Sequence, residues 1–186
     1  MPQPSATATP VPLCVDLDGT LIRTDVTWVS LRRLLKLNPL WLLLLPLWLV
    51  RGRAFLKARI ADRVDIDAPR LPYTPDFLEF LRSEKQTGRS LLLVTAADAR
   101  LARRVADYLG LFSDVLASDG LRNLRGRTKA AELVRRFGRR GFDYAGNSRV
   151  DLPVWHEARL AIVVNAGPRL VRKAAARAQL GPVFNS

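Results

Sequence analysis

Short apolar runs alternating with helical patterns do most to limit the folds open to this chain. The runs are LCVDLDGT (13–20), SLLLVT (90–95), DVLAS (114–118), FDYAG (142–146) and LAIVVN (160–165). Helical patterns span Asp98 to Leu109, Thr128 to Phe137, Asp151 to Ala158, and Pro168 to about Leu180. Such alternation predicts βαβ units, and strands apolar throughout predict a parallel sheet covered on both faces. The expected fold is α/β, a doubly wound five-stranded parallel sheet. A chain of 186 residues has room for one such domain and a small insertion.

The alternation breaks once. Residues 21 to 89 separate the first run from the second, too many for a single crossover. The stretch has helical signals of its own, in LRRLLKLNPLWLLLLPLWLVRGR, AFLKARIADRV and TPDFLEFLRSEK. It is read as a helical cap over 24–85, inserted into a core formed by 13–23 and 86–186. Residues 1–12 (MPQPSATATPVP) lack the cationic start and apolar run of a signal peptide, and read as a flexible tail. The end, GPVFNS, reads as turn residues.

Charge narrows the partners. Lys and Arg number 30 against 17 Asp and Glu, a net charge of +13. That favours phosphorylated substrates, an anionic membrane surface or nucleic acid. No basic helix, aromatic platform or other reading motif supports nucleic acid, which is set aside. One Cys and one His exclude a disulfide framework and a zinc-finger site.

Asp16 and Asp18 end the first run, followed by Gly19 and Thr20. Strand positions two apart share a face, and ligands of open α/β sheets bind beyond the carboxyl ends of the strands. Two carboxylates there suit phosphoryl transfer, one to attack and one to handle the proton of the leaving oxygen. A plain Asx turn is the simpler alternative. Thr95, before Ala96, Ala97 and Asp98, pairs a hydroxyl with helix N-terminal amides, an anion site, although Asp98 also suits an N-cap. Lys129 heads a helix, where its charge opposes the dipole unless an anion is near. GNSRVD (146–151) places Asn147 and Asp151 across a turn, and their oxygens would suit Mg²⁺. Cys14 and Trp155 read as buried packing, and His156 as a surface residue. The run Arg135, Arg136, Arg139, Arg140 reads as a helix end or a contact for lipid headgroups.

With DLDGT, Thr95, Lys129 and GNSRVD in that order, the chain resembles the haloacid dehalogenase superfamily of phosphohydrolases. NPLWLLLLPLWLVRG, LPYTPDFLEFL, LASDG, GFDYAGNSRVDLPVW and AIVVNA are similar to a bacterial subgroup often joined to a UbiA-type prenyltransferase. That subgroup resembles presumed phosphatases of polyprenyl-phosphoribose 5-phosphate, so the chain is either a free-standing member or an excised domain. The resemblance implies that Asp16 forms an aspartyl-phosphate. Asp18 would protonate the leaving oxygen and then activate water. Thr95, Ala96 and Lys129 would bind the phosphoryl group, and Mg²⁺ would sit among Asp16, Asp18, Asn147 and Asp151. Asn147 departs from the family pattern, which has Asp after the Gly. The amide adds no negative charge, so weak metal binding is one consequence, and a catalytically silent module associated with a membrane or prenyltransferase is a rival reading.

Residues 39–50 (PLWLLLLPLWLV) carry no polar side chain. A helix of that length spans about 18 Å, short of the roughly 30 Å hydrocarbon core. Basic residues flank it, and Trp41 and Trp48 stand near its ends as interfacial anchors do. The expectation is a cap helix lying in the membrane surface, against packing on its own core or a second protomer. The enzyme is therefore expected to be cytoplasmic and peripheral on the inner face of the cell membrane. There it would hydrolyse a lipid-linked, polyprenyl sugar phosphate, possibilities for a partner including a UbiA-type prenyltransferase. The alternative is a soluble-metabolite phosphatase of the phosphoserine phosphatase kind.

Overall fold

A computed structural model describes residues 10–185. Its centre is β1 (Leu13–Val15), the shortest strand, paired in parallel on both sides. On one side lie β2 (Leu91–Asp98) and β3 (Asp114–Ser118). On the other lie β4 (Asp143–Gly146), β5 (Leu160–Val164) and β6 (Gln179–Phe184). The order is β3-β2-β1-β4-β5-β6, with every pairing parallel. The sheet thus has six strands and not the expected five. The helix after β5 is α8 (Pro168–Ala175), which stops five residues before the expected Leu180. The chain then turns back to form β6 at the edge. Its run is broken by Gly181 and Pro182, and most of its side chains are exposed, so the apolar signal of a buried strand is missing.

Strand parity sorts the core into two layers. Leu13, Val15, Leu91 and Leu93 face α4 (Pro75–Gln86) and α5 (Ala99–Leu109). Cys14, Leu92, Val94 and Tyr144 face α6 (Arg127–Phe137) and α7 (Leu152–Glu157). Asp16 has the parity of Cys14, which directs it to the α6 side. Cys14 and Trp155 are fully buried, and burial pushes the Cys14 thiol up to about 12. Four helices lie between β1 and β2. Of these, α4 packs Phe77 and Leu81 on the sheet, so this part of the stretch counted with the cap is core.

The other three are α1 (Val26–Leu37), α2 (Leu45–Val50) and α3 (Arg53–Ala61). Leu34, Trp48, Ile60 and Val64 form a small core of their own. The apolar segment is not one helix: a 3-10 turn over Pro39–Leu43 precedes α2, with Pro46 in its first turn. The two tryptophans are not outward anchors. Trp41 and Trp48 lie 5.8 Å apart, and the Arg63 guanidinium sits 4.7 and 5.0 Å from their rings. What faces outward is aliphatic: Leu37, Leu40, Leu42, Leu43, Leu47, Leu49 and Val50 are all exposed. Among the described residues no helix is long and apolar enough to cross a membrane. Residues 1–9 of the expected tail lie outside the described residues.

Candidate active site

The strand ends converge where the sheet order reverses, between β1 and its neighbours β2 and β4. There a cavity of about 560 Å³ is lined by Asp16, Asp18, Ala96, Lys129, Asn147 and Asp151, and is roofed by the cap. Each side chain has an identifiable support. Asp16 is buried, and Lys129 Nζ donates to its Oδ1 at 2.7 Å. Lys129 itself is buried in the first turn of α6. The anion that offsets its unfavourable helix position is therefore Asp16. A second bond runs from Lys129 Nζ to the Tyr144 hydroxyl at 2.8 Å, and that hydroxyl donates onward to Asp151 Oδ1 at 2.9 Å. Tyr144 comes from β4 and is fully buried, so its hydroxyl needs these partners.

The two aspartates have different surroundings. Asp18 Oδ1 accepts from Val26 N at 2.7 Å, which ties it to the start of α1. Burial raises its carboxyl to about 7, and the charge of Asp25 adds to the shift while the Val26 bond opposes it. Burial also raises Asp16, but there the Lys129 ammonium pulls the carboxyl back toward ionisation. One carboxylate is thus held charged beside a cation while its neighbour more readily carries a proton.

The phosphate-binding and metal assignments fare unevenly. Ala96 lines the cavity, and Asp98 caps α5 through its bond from Arg100 N. Thr95 is fully buried, does not line the cavity, and its hydroxyl accepts the Ala97 N–H at 3.0 Å. That amide is thus used within the loop, and β2 runs on to Asp98 before the helix begins. Asp151 lies at the cavity edge, but its carboxylate is engaged. Oδ2 accepts from Asn147 N, Ser148 N and the Ser148 hydroxyl, and Oδ1 from Tyr144. It holds the loop in shape, which leaves it little capacity as a direct metal ligand.

Asn147 is placed by Gly19, where φ is +77°: a Cβ there would lie 1.9 Å from Asn147 Nδ2. Only glycine allows this approach. Asp16, Asp18 and Asn147 line one cavity, and a carboxylate, the main-chain carbonyl of Asp18 and an amide oxygen would offer only oxygen donors, a chemistry that fits a small hard cation such as Mg²⁺. Among the described residues no group of three or more His, Cys, Asp or Glu could hold a metal, so an ion here would depend on neutral oxygens and water for most of its shell.

The sequence reading missed Tyr144 and Lys57. A lone tyrosine within a buried strand was a usable signal, since its hydroxyl must find partners. Lys57 was read only as one of the flanking cations. It lies on α3 and reaches down to donate to the Ala96 carbonyl at 2.6 Å. Arg100 makes a second link across the same gap, donating to the Ala58 carbonyl at 2.8 Å and pairing with Asp62. The basic run at the end of α6 is engaged too: Arg135 pairs with Glu132, Arg136 with Asp114 and Arg139 with Glu157, and Arg140 donates to the Ala158 carbonyl. His156 is exposed.

This fold and site define a hydrolase. The chain belongs to the haloacid dehalogenase-like hydrolase family, whose pattern matches residues 13–156. It is 37% identical over 164 residues to an uncharacterized protein, y4nM, of Sinorhizobium fredii, a match that takes in 88% of this chain and 31% of the relative. The chain therefore spans under a third of that relative's length. Among solved structures, a Bordetella pertussis protein of unknown function is 18% identical with a TM-score of 0.64, over 96% of this chain and 99% of that one. A phospho-aspartyl intermediate analogue of phosphoserine phosphatase is 16% identical with a TM-score of 0.61, covering 96% and 94%. A Moraxella catarrhalis 3-deoxy-D-manno-octulosonate 8-phosphate phosphatase, solved with magnesium, phosphate and KDO, is 16% identical with a TM-score of 0.51, covering 95% and 76%. These three likenesses establish the fold.

Proposed function

We propose that the protein is a Mg²⁺-dependent phosphomonoester hydrolase that works through an aspartyl-phosphate on Asp16. The observation that carries this reading is the buried Asp16–Lys129 pair, 2.7 Å apart, with Asp18 opening into the same cavity. An Asp16 oxygen attacks phosphorus as the bond to the leaving oxygen breaks, and Asp18 gives its proton to that oxygen. Asp18, now ionised, takes a proton from water, whose oxygen attacks phosphorus and frees Asp16. Lys129 keeps Asp16 charged and faces the phosphoryl oxygens. Asp16, the Asp18 carbonyl and Asn147 would hold Mg²⁺, which supplies neutralisation of phosphoryl charge.

The substrate we favour is a lipid-linked sugar phosphate, by resemblance a polyprenyl one, met at an anionic membrane surface. Three features support this. Trp28, Leu31, Leu56 and Ile60 give the cavity an apolar wall. The apolar segment of the cap leaves many of its aliphatic side chains exposed, with Leu43 75% and Leu47 60% exposed. Arg32, Arg33 and Lys36 on α1 and Arg51 after α2 flank that segment in sequence, and none of them has an ion-pair partner among the described residues. Exposed leucines flanked by cations suit shallow insertion among anionic headgroups. On this reading the protein is peripheral on the cytoplasmic face. A UbiA-type prenyltransferase as partner accords with the length of the rhizobial relative outside the match. The test is a phosphate-release screen of lipid-linked against soluble phosphomonoesters, with and without Mg²⁺. Release that is fastest from lipid-linked substrates and needs Mg²⁺ supports the reading. Release confined to soluble metabolites would replace it with the soluble alternative.

A further inference from the structure

The turn after Asp18 cannot hold its own shape. Gly19 has to be glycine, because a Cβ there would lie 1.9 Å from Asn147 Nδ2. Glycine leaves both of its dihedrals free, so nothing in the residue fixes the peptides on either side of it. One of those peptides carries the Asp18 carbonyl, and the other carries the Gly19 carbonyl.

The restraint comes from 146 residues further along the chain. Asn165 follows the end of β5, and its Nδ2 donates to the Gly19 carbonyl at 3.1 Å and to Thr74 Oγ1 at 2.9 Å. The Thr74 hydroxyl gives its own proton to the Thr20 carbonyl at 2.8 Å, so toward Asn165 it is the acceptor. Thr74 is fully buried at the N-cap of α4, where a hydroxyl ordinarily accepts from the helix, and here it makes no such bond. One side-chain amide thus fixes two consecutive carbonyls, the first directly and the second through Thr74.

Asn165 holds this place against two local penalties. Its φ is +49°, in the left-handed region that residues with a Cβ rarely enter, Asn more readily than most. Its Oδ1 is buried with no partner among the described residues, which is unfavourable for an acceptor. Both partners of Nδ2 are acceptors, so what the side chain contributes is its two N–H donors.

We propose that Asn165 is a positioning residue for the proton transfer from Asp18 to the leaving oxygen. This deepens the hydrolase reading and rests on it. Val26 N holds one oxygen of the Asp18 carboxyl, and the pinned Gly19 turn holds its backbone. Together they aim the carboxyl at the oxygen that departs from phosphorus.

The leaving group separates positioning from stability. p-Nitrophenolate departs without a proton, whereas an alkoxide needs one, so a misplaced Asp18 slows alkyl esters most. Asn165→Gly suits the left-handed backbone and removes only the amide. Its kcat/KM should fall about thirtyfold on n-butyl phosphate and only about threefold on p-nitrophenyl phosphate. Thr74→Val should move the ratio the same way by less, while Thr74→Ser keeps the hydroxyl and the wild-type ratio. Equal losses on the two esters would make Asn165 a purely structural residue and overturn the proposal, as would wild-type rates on both. Hydrogen exchange reads the restraint without turnover. The amides of Gly19, Thr20, Leu21 and Ile22 are all bonded within this loop, and in Asn165→Gly they should exchange about tenfold faster. Unchanged protection also overturns the proposal. If wild type hydrolyses neither ester, the hydrolase reading fails and the proton-transfer role with it, while exchange still decides whether Asn165 holds the turn.

Discussion

Replacing Tyr144 with Phe removes one oxygen and disturbs two charged groups. The hydroxyl accepts from Lys129 at 2.8 Å and donates to Asp151 at 2.9 Å, in a fully buried position. Phe fills the same space, so packing on Trp155 survives, and the cost is purely polar. Lys129 keeps Asp16, but one of its N–H groups loses its acceptor. Asp151 Oδ1 loses the only donor assigned to it, while Oδ2 keeps three. A buried group left unpaired costs about 1–3 kcal/mol, so the pair together should cost roughly 2–4 kcal/mol after relaxation. Thermal unfolding should show a clear drop in Tm. Catalysis should suffer in kcat more than in KM, because Lys129 is freed to turn away from Asp16 without any loss of the apolar wall. Both are read on the same preparation, by calorimetry and by phosphate release from p-nitrophenyl phosphate. A Tyr144→Phe protein with wild-type Tm and wild-type kcat would refute the reasoning, since the hydroxyl would then hold neither partner.

Three other outcomes follow from the same geometry. Asn147→Asp adds a negative charge to the proposed oxygen set and should lower the Mg²⁺ concentration for half-maximal activity by roughly tenfold; an unmoved titration curve would place the ion elsewhere. Leu43→Glu/Leu47→Glu removes two exposed aliphatic side chains, each able to contribute about 1.5–3 kcal/mol on burial, so co-sedimentation with anionic liposomes should fall sharply, and fall for wild type as salt rises; wild type that stays in the supernatant throughout would end the membrane reading. Asp143, fully buried, accepts from Arg159 at 2.7 and 2.9 Å and from Leu160 N and pairs with Arg89, so Asp143→Ala removes the carboxylate of Arg159 and the acceptor of Leu160 N while Arg89 keeps Glu84, and should cost about 1–3 kcal/mol, visible as an earlier urea midpoint.

The parts of the fold legible in the sequence were those where one local signal sufficed. The five apolar strands, the helices from residue 99 to 109 and from 127 to 137, and the insertion after β1 were readable because periodicity and turn residues agreed. The sixth strand was not, because an edge strand with Gly181 and Pro182 lacks the pattern of a buried one. The apolar segment misled in a different way. Its composition indicated exposure to something apolar, but only the three-dimensional packing shows that Trp41 and Trp48 clasp Arg63 while the leucines face out. At the site, Asp16, Asp18, Ala96, Lys129 and Asn147 were found from strand ends and loop motifs and do line one cavity. Asp151 lines it too but spends its carboxylate on the loop that carries Asn147, and Thr95 does not reach the cavity and serves its own loop. Whether a polar group faces a cavity or its own backbone depends on hydrogen bonds of a few residues' span, which spacing alone does not specify. Tyr144 and Lys57 act through contacts 15 and 39 residues away in sequence, beyond any local motif.

The central claim is that Asp16 attacks phosphorus. Asp16→Asn keeps the size and polarity of the side chain, so the fold should persist while the nucleophile is lost. Phosphate release from the best substrate, measured beside the thermal unfolding of the same sample, tests this directly. The account predicts a folded protein whose turnover is reduced about a thousandfold or more. A folded Asp16→Asn protein that releases phosphate at a rate comparable to wild type would contradict it.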